Sequence, residues 1–529
     1  MSTAYITTPI YYVNDKPHIG HAYTTTLCDV WARAMRAEGR DVFFLTGTDE
    51  HGVKVEKSAA ARGISPQQLA DENSAEFRRV LGLFGLTNDH FIRTTDADHK
   101  RQVQAVVARL REKGFVYLGK FEGWYDEGQE EYYTETKAKE LDYKSPISGK
   151  PLVRATEENY YFRLSAFQKQ LEDLFARNPG FVRPEGRRNE VIGPLRDGLQ
   201  DVPVTRTNFS WGIPMPDAPG HVIYVWIDAL LNYATALGRA DGAGGPRAHL
   251  EKYWPAAYHV IGKEILWFHA VIWPAMLMAL EWELPRCIYA HSFWISEGQK
   301  MSKSLGNFID LATIEQYHAK YSLDAWRWYM VTQGPLEATD ADFSAKHFHE
   351  IYTAELVNTF ANCASRTSAM IGKYFEGRMP AREGGWTTKA VGRAYAEATE
   401  GFHGAFKAYE GFELRAAAQT ALGIVRWVDL AINEYQPFKM AKDPAQLAAV
   451  GSILHDCSQA LAIAAAALHP IMPAKCDEML KAFGTSLAAV RGRVRAGQPM
   501  PTEIVAPGTA IEKCALFMRV DAPGAAVPA

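Results

Sequence analysis

Cysteine is scarce in this 529-residue sequence, and no two of its six cysteines have the CxxC spacing of a metal or redox motif. A disulfide framework or a zinc cluster would need cysteines grouped at short intervals. The thiols are instead scattered singly, at Cys28, Cys287, Cys363, Cys457, Cys476 and Cys514. This spacing is typical of reduced thiols in a cytosolic protein.

Long apolar runs and a strong charge imbalance are also missing. No stretch of about 18 uncharged apolar residues is present, and residues 1–13 contain neither a basic segment nor a small-residue cleavage site. We therefore expect no membrane span, no secretory signal and a cytoplasmic location. The formal net charge of −4 gives no overall attraction to nucleic acid, so any RNA contact must use local basic clusters.

The strongest secondary-structure pattern lies in residues 4–47. The β-branched and aromatic residues of 4–13 predict a buried strand, the apolar spacing of 19–39 predicts a helix, and 41–47 predicts a second short strand. Strand, helix and strand in this order form a βαβ unit, which implies a parallel sheet of Rossmann type.

The rest of the chain divides by composition. Aromatic-rich runs with turns predict a small β-containing insertion, after which the α/β pattern resumes and includes a strand at 287–295. Alanine-rich amphipathic stretches beyond about residue 350 predict a helical bundle. The predicted fold is therefore α/β, a Rossmann-type parallel-sheet catalytic domain split by the insertion and followed by an all-α domain. The predicted segments are 1–115 and 186–295 for the two Rossmann halves, 116–185 for the insertion, 296–350 for a connecting region with a basic loop, 351–495 for the helical domain and 496–529 for a Gly/Pro-rich tail with a strand-like end at 515–520.

A candidate phosphate site lies at residues 17–21, where PHIGH opens the first predicted helix. A helix N-terminus offers unpaired N–H groups and the positive end of the helix dipole. Gly20 lets a nucleotide approach the backbone, and His18 and His21 lie on one face, where both imidazoles can donate to phosphate oxygens. Taken alone, the tetrapeptide HIGH at 18–21 is more typical of two histidines that merely cap a helix.

A second basic motif, KMSKS at 300–304, follows about 280 residues later. Lysines on a loop rich in serine and glycine are mobile charges that can close over a polyphosphate. An isolated motif of this kind is more often a solvated surface turn. The two motifs together favour ATP binding, because both lie at the ends of predicted α/β elements.

This pair resembles the signature of class I aminoacyl-tRNA synthetases, and further blocks make the chain similar to the methionyl-tRNA synthetases. These blocks are TPIYYVNDKPHIGHAYT, FLTGTDEHGVK, RRNEVIGPLRDGL, WIDALLNY, HVIGKEILWFHAVIWPAML and SEGQKMSKSLGN. The resemblance implies a methionine–tRNA ligase that forms methionyl-adenylate from methionine and ATP with Mg²⁺ and then charges tRNA(Met). It also makes 296–350 the KMSKS loop with a stem-contact region, and 351–495 an anticodon-binding domain.

The resemblance assigns the substrate-binding residues one by one. Asp49 in GTDEHG holds the α-amino group of methionine, and Arg206 in PVTR lies near the carboxylate. The side-chain pocket, in which aromatic rings meet a polarizable sulfur, comprises Ile10, Tyr12, Trp226, Tyr233 and His269. Without the family, these five would be read as ordinary core residues. Leu230 is a departure, since some members have proline there.

Adenylate formation needs no protein nucleophile, because the methionine carboxylate itself attacks the α-phosphorus of ATP. The enzyme supplies positioning and charge stabilisation. The resemblance assigns these catalytic roles to His18, His21, Lys300 and Lys303, and it assigns ATP binding to the same four residues and Gly20.

The insertion departs from the family at its metal site. Many relatives hold zinc through a knuckle of cysteines, but Asp126, Gln129, Ser145 and Ser148 occupy the ligand positions here. These residues cannot form the thiolate tetrahedron of a structural zinc site. We predict no zinc and a knuckle held by aromatic packing, with Trp124, Tyr125, Tyr132 and Tyr133 as candidates.

The helical domain carries the predicted anticodon contacts. Asn362 and Arg366 are four residues apart on one helix face, and matching residues in the family read anticodon bases. Phe438 replaces the tryptophan that stacks on the anticodon in the family, and a phenyl ring can still stack. The chain ends without the oligonucleotide-fold domain that dimerises some relatives, so we expect a monomer.

Two other interpretations stay open at this point. A cysteine-activating relative would need a zinc site in its amino-acid pocket, for which the cysteines here offer no ligands. A catalytically inactive paralogue that only binds tRNA would have no chemical reason to keep both phosphate motifs. Amino-acid-dependent exchange of pyrophosphate into ATP separates the three.

Overall fold

The computed structural model describes residues 2–14, 16–126, 131–133, 135–296, 298–301, 308–383, 389–494 and 503–523. The first half of the catalytic domain alternates strands and helices. Its elements are β1 (Thr3–Tyr12), α1 (Ile19–Ala37), β2 (Asp41–Asp49), α2 (Val53–Arg62), α3 (Pro66–Leu83), β3 (His90–Arg93) and α4 (Ala97–Glu112). Strands β1 and β2 are parallel on either side of α1 in the chain, which confirms the predicted βαβ unit.

The inserted region forms a separate antiparallel sheet in the order β5-β4-β6-β8. Its long strands β4 and β6 carry the aromatic side chains that marked the region in the sequence. The elements from here to the second Rossmann half are β4 (Val116–Asp126), β5 (Glu131–Tyr133), α5 (Glu135–Glu140), β6 (Val153–Phe162), α6 (Gln168–Arg177), β7 (Val182–Arg183), α7 (Glu185–Arg196), β8 (Val202–Pro203), β9 (Thr205–Arg206) and β10 (Val222–Ile223). The chain crosses between two sheets here. Strand β7 belongs to the parallel sheet of the Rossmann domain, and β8 then pairs with β6 of the antiparallel sheet.

The second Rossmann half completes a six-stranded parallel sheet in the order β3-β2-β1-β11-β12-β7. Its elements are α8 (Val225–Thr235), β11 (Ala257–Gly262), a π-helical turn (Phe268–Ile272), α9 (Trp273–Leu280), β12 (Cys287–His291), β13 (Trp294–Ser296) and β14 (Gln299–Lys300). The stretch 287–295, predicted as one strand, is two. Strand β12 ends the parallel ladder at His291, and β13 pairs instead with β14 and the later β15.

The C-terminal half is helical, as predicted. Its elements are α10 (Leu311–Tyr321), α11 (Leu323–Gln333), β15 (Ala341–Phe343), α12 (Ala345–Ile351), a π-helical segment (Tyr352–Ala361), α13 (Asn362–Tyr374), α14 (Lys389–Glu410), α15 (Leu414–Tyr435), α16 (Pro437–Met440), α17 (Leu447–Leu468), α18 (Pro473–Ala482) and α19 (Leu487–Arg493). Helix α17 is buried nearly throughout, because its alanines let α14 and α15 pack closely against it. Within the described ranges, only the helical stretch Pro444–Leu468 is long and apolar enough to cross a membrane, and most of it lies inside this bundle.

The predicted strand at 515–520 is wrong. This part of the tail runs over the bundle without a strand partner, and helix side chains satisfy its backbone instead. The Ser368 hydroxyl accepts from Cys514 N at 3.1 Å, and the Tyr352 hydroxyl donates to Met518 O at 2.7 Å. Phe517 is buried against the ring of Tyr352, so the apolar residues of the tail serve as a cover for the helices.

Candidate active site

A cavity of about 360 Å³ opens at the carboxyl ends of β1 and β11, where the strand order of the parallel sheet changes direction. Ligands of open α/β sheets bind at this kind of switch point. The cavity brings together residues from positions 9 to 293 of the chain. Nine of the residues predicted from sequence line it, namely Ile10, Tyr12, His18, Gly20, His21, Asp49, Trp226, Tyr233 and His269.

The two histidines of HIGH form a capping box at the start of α1. His18 is the N-cap, and its Nδ1 accepts a hydrogen bond from Gly20 N at 3.1 Å. His21 Nδ1 accepts from His18 N at 3.1 Å. Both Nδ1 atoms are therefore acceptors, which leaves each Nε2–H as a donor. Burial, together with the neighbouring His18 imidazole, holds the pKa of His21 well below its usual value, so this ring stays neutral.

The segment that follows KMSKS returns directly to HIGH. Ile19 N donates to Ile309 O at 3.2 Å, and His18 and Asp310 form a β-bridge. The ring of Phe308 lies 5.3 Å from the His18 ring, measured between centroids. The side chain of Lys300 and the whole of Lys303 lie outside the described part of the chain. Residues 308–310, which begin four residues after the end of KMSKS, therefore lie against the start of α1 beside HIGH.

The apolar end of the cavity is organised around Tyr233 and His269. The Tyr233 hydroxyl donates to His269 Nε2 at 2.8 Å, while His269 Nδ1–H donates to Ile265 O at 2.9 Å. Burial lowers the pKa of His269 to about 4, so the imidazole is neutral at physiological pH. Trp226 stacks on Phe268 with 4.0 Å between centroids. The result is an aromatic wall with one fixed polar contact.

Asp49 is the last residue of β2 and is buried in the cavity wall. The loop after it is tightly held. Glu50 Oε1 and Oε2 accept from Arg93 at 2.7 and 2.9 Å, and Trp211 Nε1 donates to Glu50 O at 2.6 Å. Gly52 has a φ of 108°, and a Cβ there would lie 2.8 Å from the Tyr12 hydroxyl oxygen, so the turn requires glycine.

Arg206 does not line the cavity. It is buried in the short strand β9, and its guanidinium carbon lies 4.2 Å from the centre of the Tyr224 ring. Tyr224 is the N-cap of α8, the helix that carries Trp226 and Tyr233. In this structure the arginine therefore supports the base of the pocket helix.

Several cavity residues were not predicted from the sequence. Glu264 follows β11 in the block GKE, and its carboxylate lies over Gly262, where a Cβ would come within 2.4 Å of Oε2. A carboxylate just after a parallel strand at the switch point is a signal that could have identified it. The other unpredicted wall residues are Pro9, Tyr11, Thr24, Lys54, Val225, Ala229, Gly262, Ile265, His291 and Phe293, while Leu230, noted only as a departure, also lines the wall.

The predicted anticodon residues lie on the helical domain. Arg366 on α13 donates to Asp429 Oδ1 at 3.0 Å and to Asn433 Oδ1 at 3.2 Å, both on α15. Asn362 lies exposed one turn before Arg366. Phe438, which follows Asn433 by five residues, is 40% exposed, an unusual position for a phenyl ring. Asn362 and Arg366 thus contribute to a polar surface of the helical domain, and Phe438 exposes an aromatic ring on the same domain.

The insertion places Asp126 and Ser145 as buried residues at two of the family's zinc positions, while Gln129 lies outside the described residues. Trp124 packs on Tyr143, with 4.6 Å between ring centroids, and both donate to the Glu135 carboxylate, at 2.8 and 2.9 Å. Tyr143 and Glu135 were not predicted. In the ranges that the structure covers, no group of three or more His, Cys, Asp or Glu side chains could hold a metal ion.

Comparisons with known proteins agree with this geometry. A sequence model described as "tRNA synthetases class I (M)" matches residues 4–368. The methionine–tRNA ligase of Bacillus subtilis is 39% identical over 521 residues, covering 95% of this chain and 76% of the relative. That of Streptomyces coelicolor is 41% identical, covering 91% and 89%. A Mycobacterium tuberculosis methionyl-tRNA synthetase in complex with methionyl-adenylate superposes with a TM-score of 0.90 at 34% identity, covering 98% of this chain and all of that one.

A split Rossmann domain with HIGH at its switch point, residues 308–310 downstream of KMSKS beside it and a helical domain behind defines a class I tRNA synthetase. Within that class, the chain belongs to the methionyl-tRNA synthetase family. Its activity is that of a methionine–tRNA ligase, which activates methionine with ATP to the adenylate and then transfers it to tRNA.

Proposed function

We propose that the cavity at the β1–β11 switch point binds methionine and ATP side by side, with the residue roles that follow. The observation that carries this proposal is the convergence of Asp49, the Tyr233–His269 pair and the HIGH histidines on one cavity of about 360 Å³. A carboxylate suits the ammonium group of methionine, and an aromatic wall suits its thioether.

The ATP half of the proposal rests on the fixed orientation of the histidines. With both Nδ1 atoms held by backbone N–H groups, the two Nε2–H groups act as neutral donors to phosphate oxygens. Lys300 and Lys303 add positive charge as pyrophosphate leaves. Mg²⁺ enters with ATP and is held by the phosphate oxygens.

The helical domain is proposed to read the anticodon of tRNA(Met). Asn362 and Arg366 meet splayed bases by hydrogen bonding, and Phe438 offers a stacking surface. Because Arg366 is already paired with Asp429 and Asn433, RNA must compete with these partners for the guanidinium. We further propose a cytoplasmic monomer without zinc.

Amino-acid-dependent exchange of labelled pyrophosphate into ATP tests the catalytic proposal. Methionine should drive exchange, cysteine should not, and metal analysis of the purified protein should find no stoichiometric zinc. Asp49→Asn should raise the KM for methionine at least tenfold with little change in the KM for ATP. An equal change in both constants would remove Asp49 from the ammonium site.

Phe438→Ala tests the RNA proposal. Loss of one base stack should weaken tRNA binding by roughly 1 to 3 kcal/mol, seen as a higher KM for tRNA(Met) in aminoacylation. The exchange reaction without tRNA should be unchanged. Leu430→Ala, at a more exposed apolar site on α15, serves as a control for general surface effects.

A further inference from the structure

A buried ionic network lies behind the methionine cavity. The Asp228 carboxylate accepts from His51 Nδ1–H at 2.7 Å and from His99 Nε2–H at 2.6 Å. His99 Nδ1 lies 2.7 Å from the Thr235 hydroxyl. The three ionisable residues are at most 3% exposed. Burial alone would raise the pKa of Asp228, but the two histidines hold the pKa below its usual value, so the carboxylate is ionised.

The network joins the two sides of the cavity. His51 lies two residues after Asp49, on the loop that leaves β2. Asp228 is on α8, whose other face presents Trp226, Ala229, Leu230 and Tyr233 to the cavity at helical spacing. His99 on α4 closes the network from behind. None of its members lines the cavity, so they act on the substrate through the residues beside them.

The same loop has a separate anchor on its other side. Glu50 is bound by Arg93, which itself contacts Asp71 at 2.6 Å, and this anchor ties the loop to β3 and α3. The Glu50 anchor therefore sets the loop relative to one edge of the sheet. The contact between His51 and Asp228 sets it relative to α8.

We infer that Asp228 is a positioning residue for methionine: through His51 and His99, it fixes the distance between the ammonium-binding carboxylate of Asp49 and the thioether pocket on α8. One methionine molecule spans these two contacts. If the loop shifts relative to α8, a methionine that contacts Asp49 no longer fits the thioether pocket, and one that fits the pocket no longer reaches Asp49. ATP binds to elements outside this network and is unaffected. The inference rests on the proposed methionine site and concerns how that site is held.

The test compares steady-state constants of pyrophosphate exchange after active-site titration, which removes the effect of any unfolded fraction. Asp228→Ala should raise the KM for methionine about tenfold or more, with the KM for ATP changed by less than about twofold. Asp228→Asn should recover most of the loss. Its amide can accept from His51 and donate to His99 Nε2, if the His99 proton moves to Nδ1 and faces Thr235.

Asp324→Ala is the matched control, since Asp324 is an equally buried carboxylate on α11 that does not contact the cavity. It should lower the unfolding temperature and leave both KM values unchanged. If Asp228→Ala does not fold, His51→Ala removes the same link and should raise the KM for methionine alone.

An unchanged KM for methionine in these variants, or a parallel rise in both KM values, would overturn the inference. Failure of the proposed methionine site itself would show separately, as an unaltered KM for methionine in Asp49→Asn.

Discussion

At the scale of single residues, the cavity uses neutral imidazoles whose hydrogen-bond directions are set by the backbone. The Nδ1 atoms of His18 and His21 accept from backbone N–H groups, whereas His269 Nδ1–H donates to a carbonyl. The first two rings are thereby donors toward the cavity through Nε2, and the third is an acceptor. A donor suits phosphate, and an acceptor suits the Tyr233 hydroxyl.

Tyr233→Phe tests the last of these contacts. The substitution leaves His269 Nε2 buried without its donor, which costs roughly 1 to 3 kcal/mol. We expect a higher KM for methionine, a smaller change in the KM for ATP and a lower unfolding temperature. Steady-state exchange and thermal denaturation measure these effects. Tyr289→Phe, which removes a similar buried hydroxyl bonded to Leu336 O but away from the cavity, should lower stability alone. Equal kinetic effects in the two variants would contradict the role of Tyr233.

The cavity residues that could be predicted from the sequence are those that lie in short local motifs. His18, Gly20, His21 and Asp49 stand in such motifs, and all of them line the cavity. Asp228 and His99 could not be predicted, because 129 positions separate them and only folding makes them neighbours. Arg206 shows the converse. The family resemblance put it near the methionine carboxylate, whereas the structure places its buried guanidinium against Tyr224 at the start of α8 and outside the cavity lining.

At the scale of elements, the helix that begins at HIGH is fixed to the C-terminal half of the chain by a buried ion pair. Arg327 on α11 donates to Asp29 on α1 at 2.7 Å, and also to the carbonyls of Ile471 and Pro470 at 2.8 and 3.1 Å. Burial would raise the pKa of Asp29, but Arg327 and Arg33 hold the pKa below its usual value. One guanidinium thus joins α1, α11 and the α17–α18 connection.

Arg327→Met should therefore be strongly destabilising. It leaves the Asp29 carboxylate buried with a smaller share of its compensating charge, and removing one partner of such a pair costs about 3 to 5 kcal/mol. Thermal or urea denaturation measures the loss. Arg79→Met, which breaks pairs with the exposed Glu76 and Glu315, should cost no more than about 1 kcal/mol. The double variant Asp29→Asn/Arg327→Met should regain part of the stability, and a double variant worse than Arg327→Met would argue against the ion pair.

Element boundaries were harder to predict than element types. Residues 287–295 are mostly apolar or aromatic and were therefore predicted as one strand, yet the chain changes sheets after His291. Residues 515–520 have the composition of a strand but find helices rather than a strand beside them. In both cases, the composition of the segment requires only that its apolar side chains be buried. The neighbouring element decides whether a single strand forms there.

At the scale of the whole molecule, one hydrophobic core runs from the α1 face of the parallel sheet through α11 into the helical bundle. The catalytic and helical domains are therefore packed as one body rather than joined by a linker. The second core lies on the other face of the sheet and includes α8 and the base of the insertion. The cavity opens where the two cores meet the carboxyl edge of the sheet, and its wall contains histidines buried without charge.

Two histidines of the cavity wall, His269 and His291, and the buried His259 on β11 predict how stability depends on pH. Burial lowers the pKa of His269 and His291 to about 4, and burial with a nearby imidazole lowers the pKa of His259 well below its usual value. In the unfolded chain the same groups titrate near pH 6.5. Below that pH the unfolded state binds protons that the folded state does not, so stability is full above about pH 6.5 and falls as the pH drops toward 4.

As the pH falls from 7.5 to 5.5, each of the histidines with a pKa of about 4 should lower the free energy of unfolding by roughly 1 kcal/mol, and the unfolding temperature should drop accordingly. Scanning calorimetry at constant ionic strength measures this drop in unfolding temperature. Burial raises the pKa of Asp324 and Asp456, so these two carboxyl groups increase the free energy of unfolding as the pH falls. Measuring at or above pH 5.5 limits their contribution. His291→Gln should reduce the difference between the two pH values, because one titrating group is gone. His249→Gln, at an exposed site, should leave the difference between the two pH values unchanged.

An unfolding temperature that stayed constant or rose on acidification would mean that the buried imidazoles are protonated in the folded protein. The neutral donors and acceptors assigned to the cavity would then be wrong.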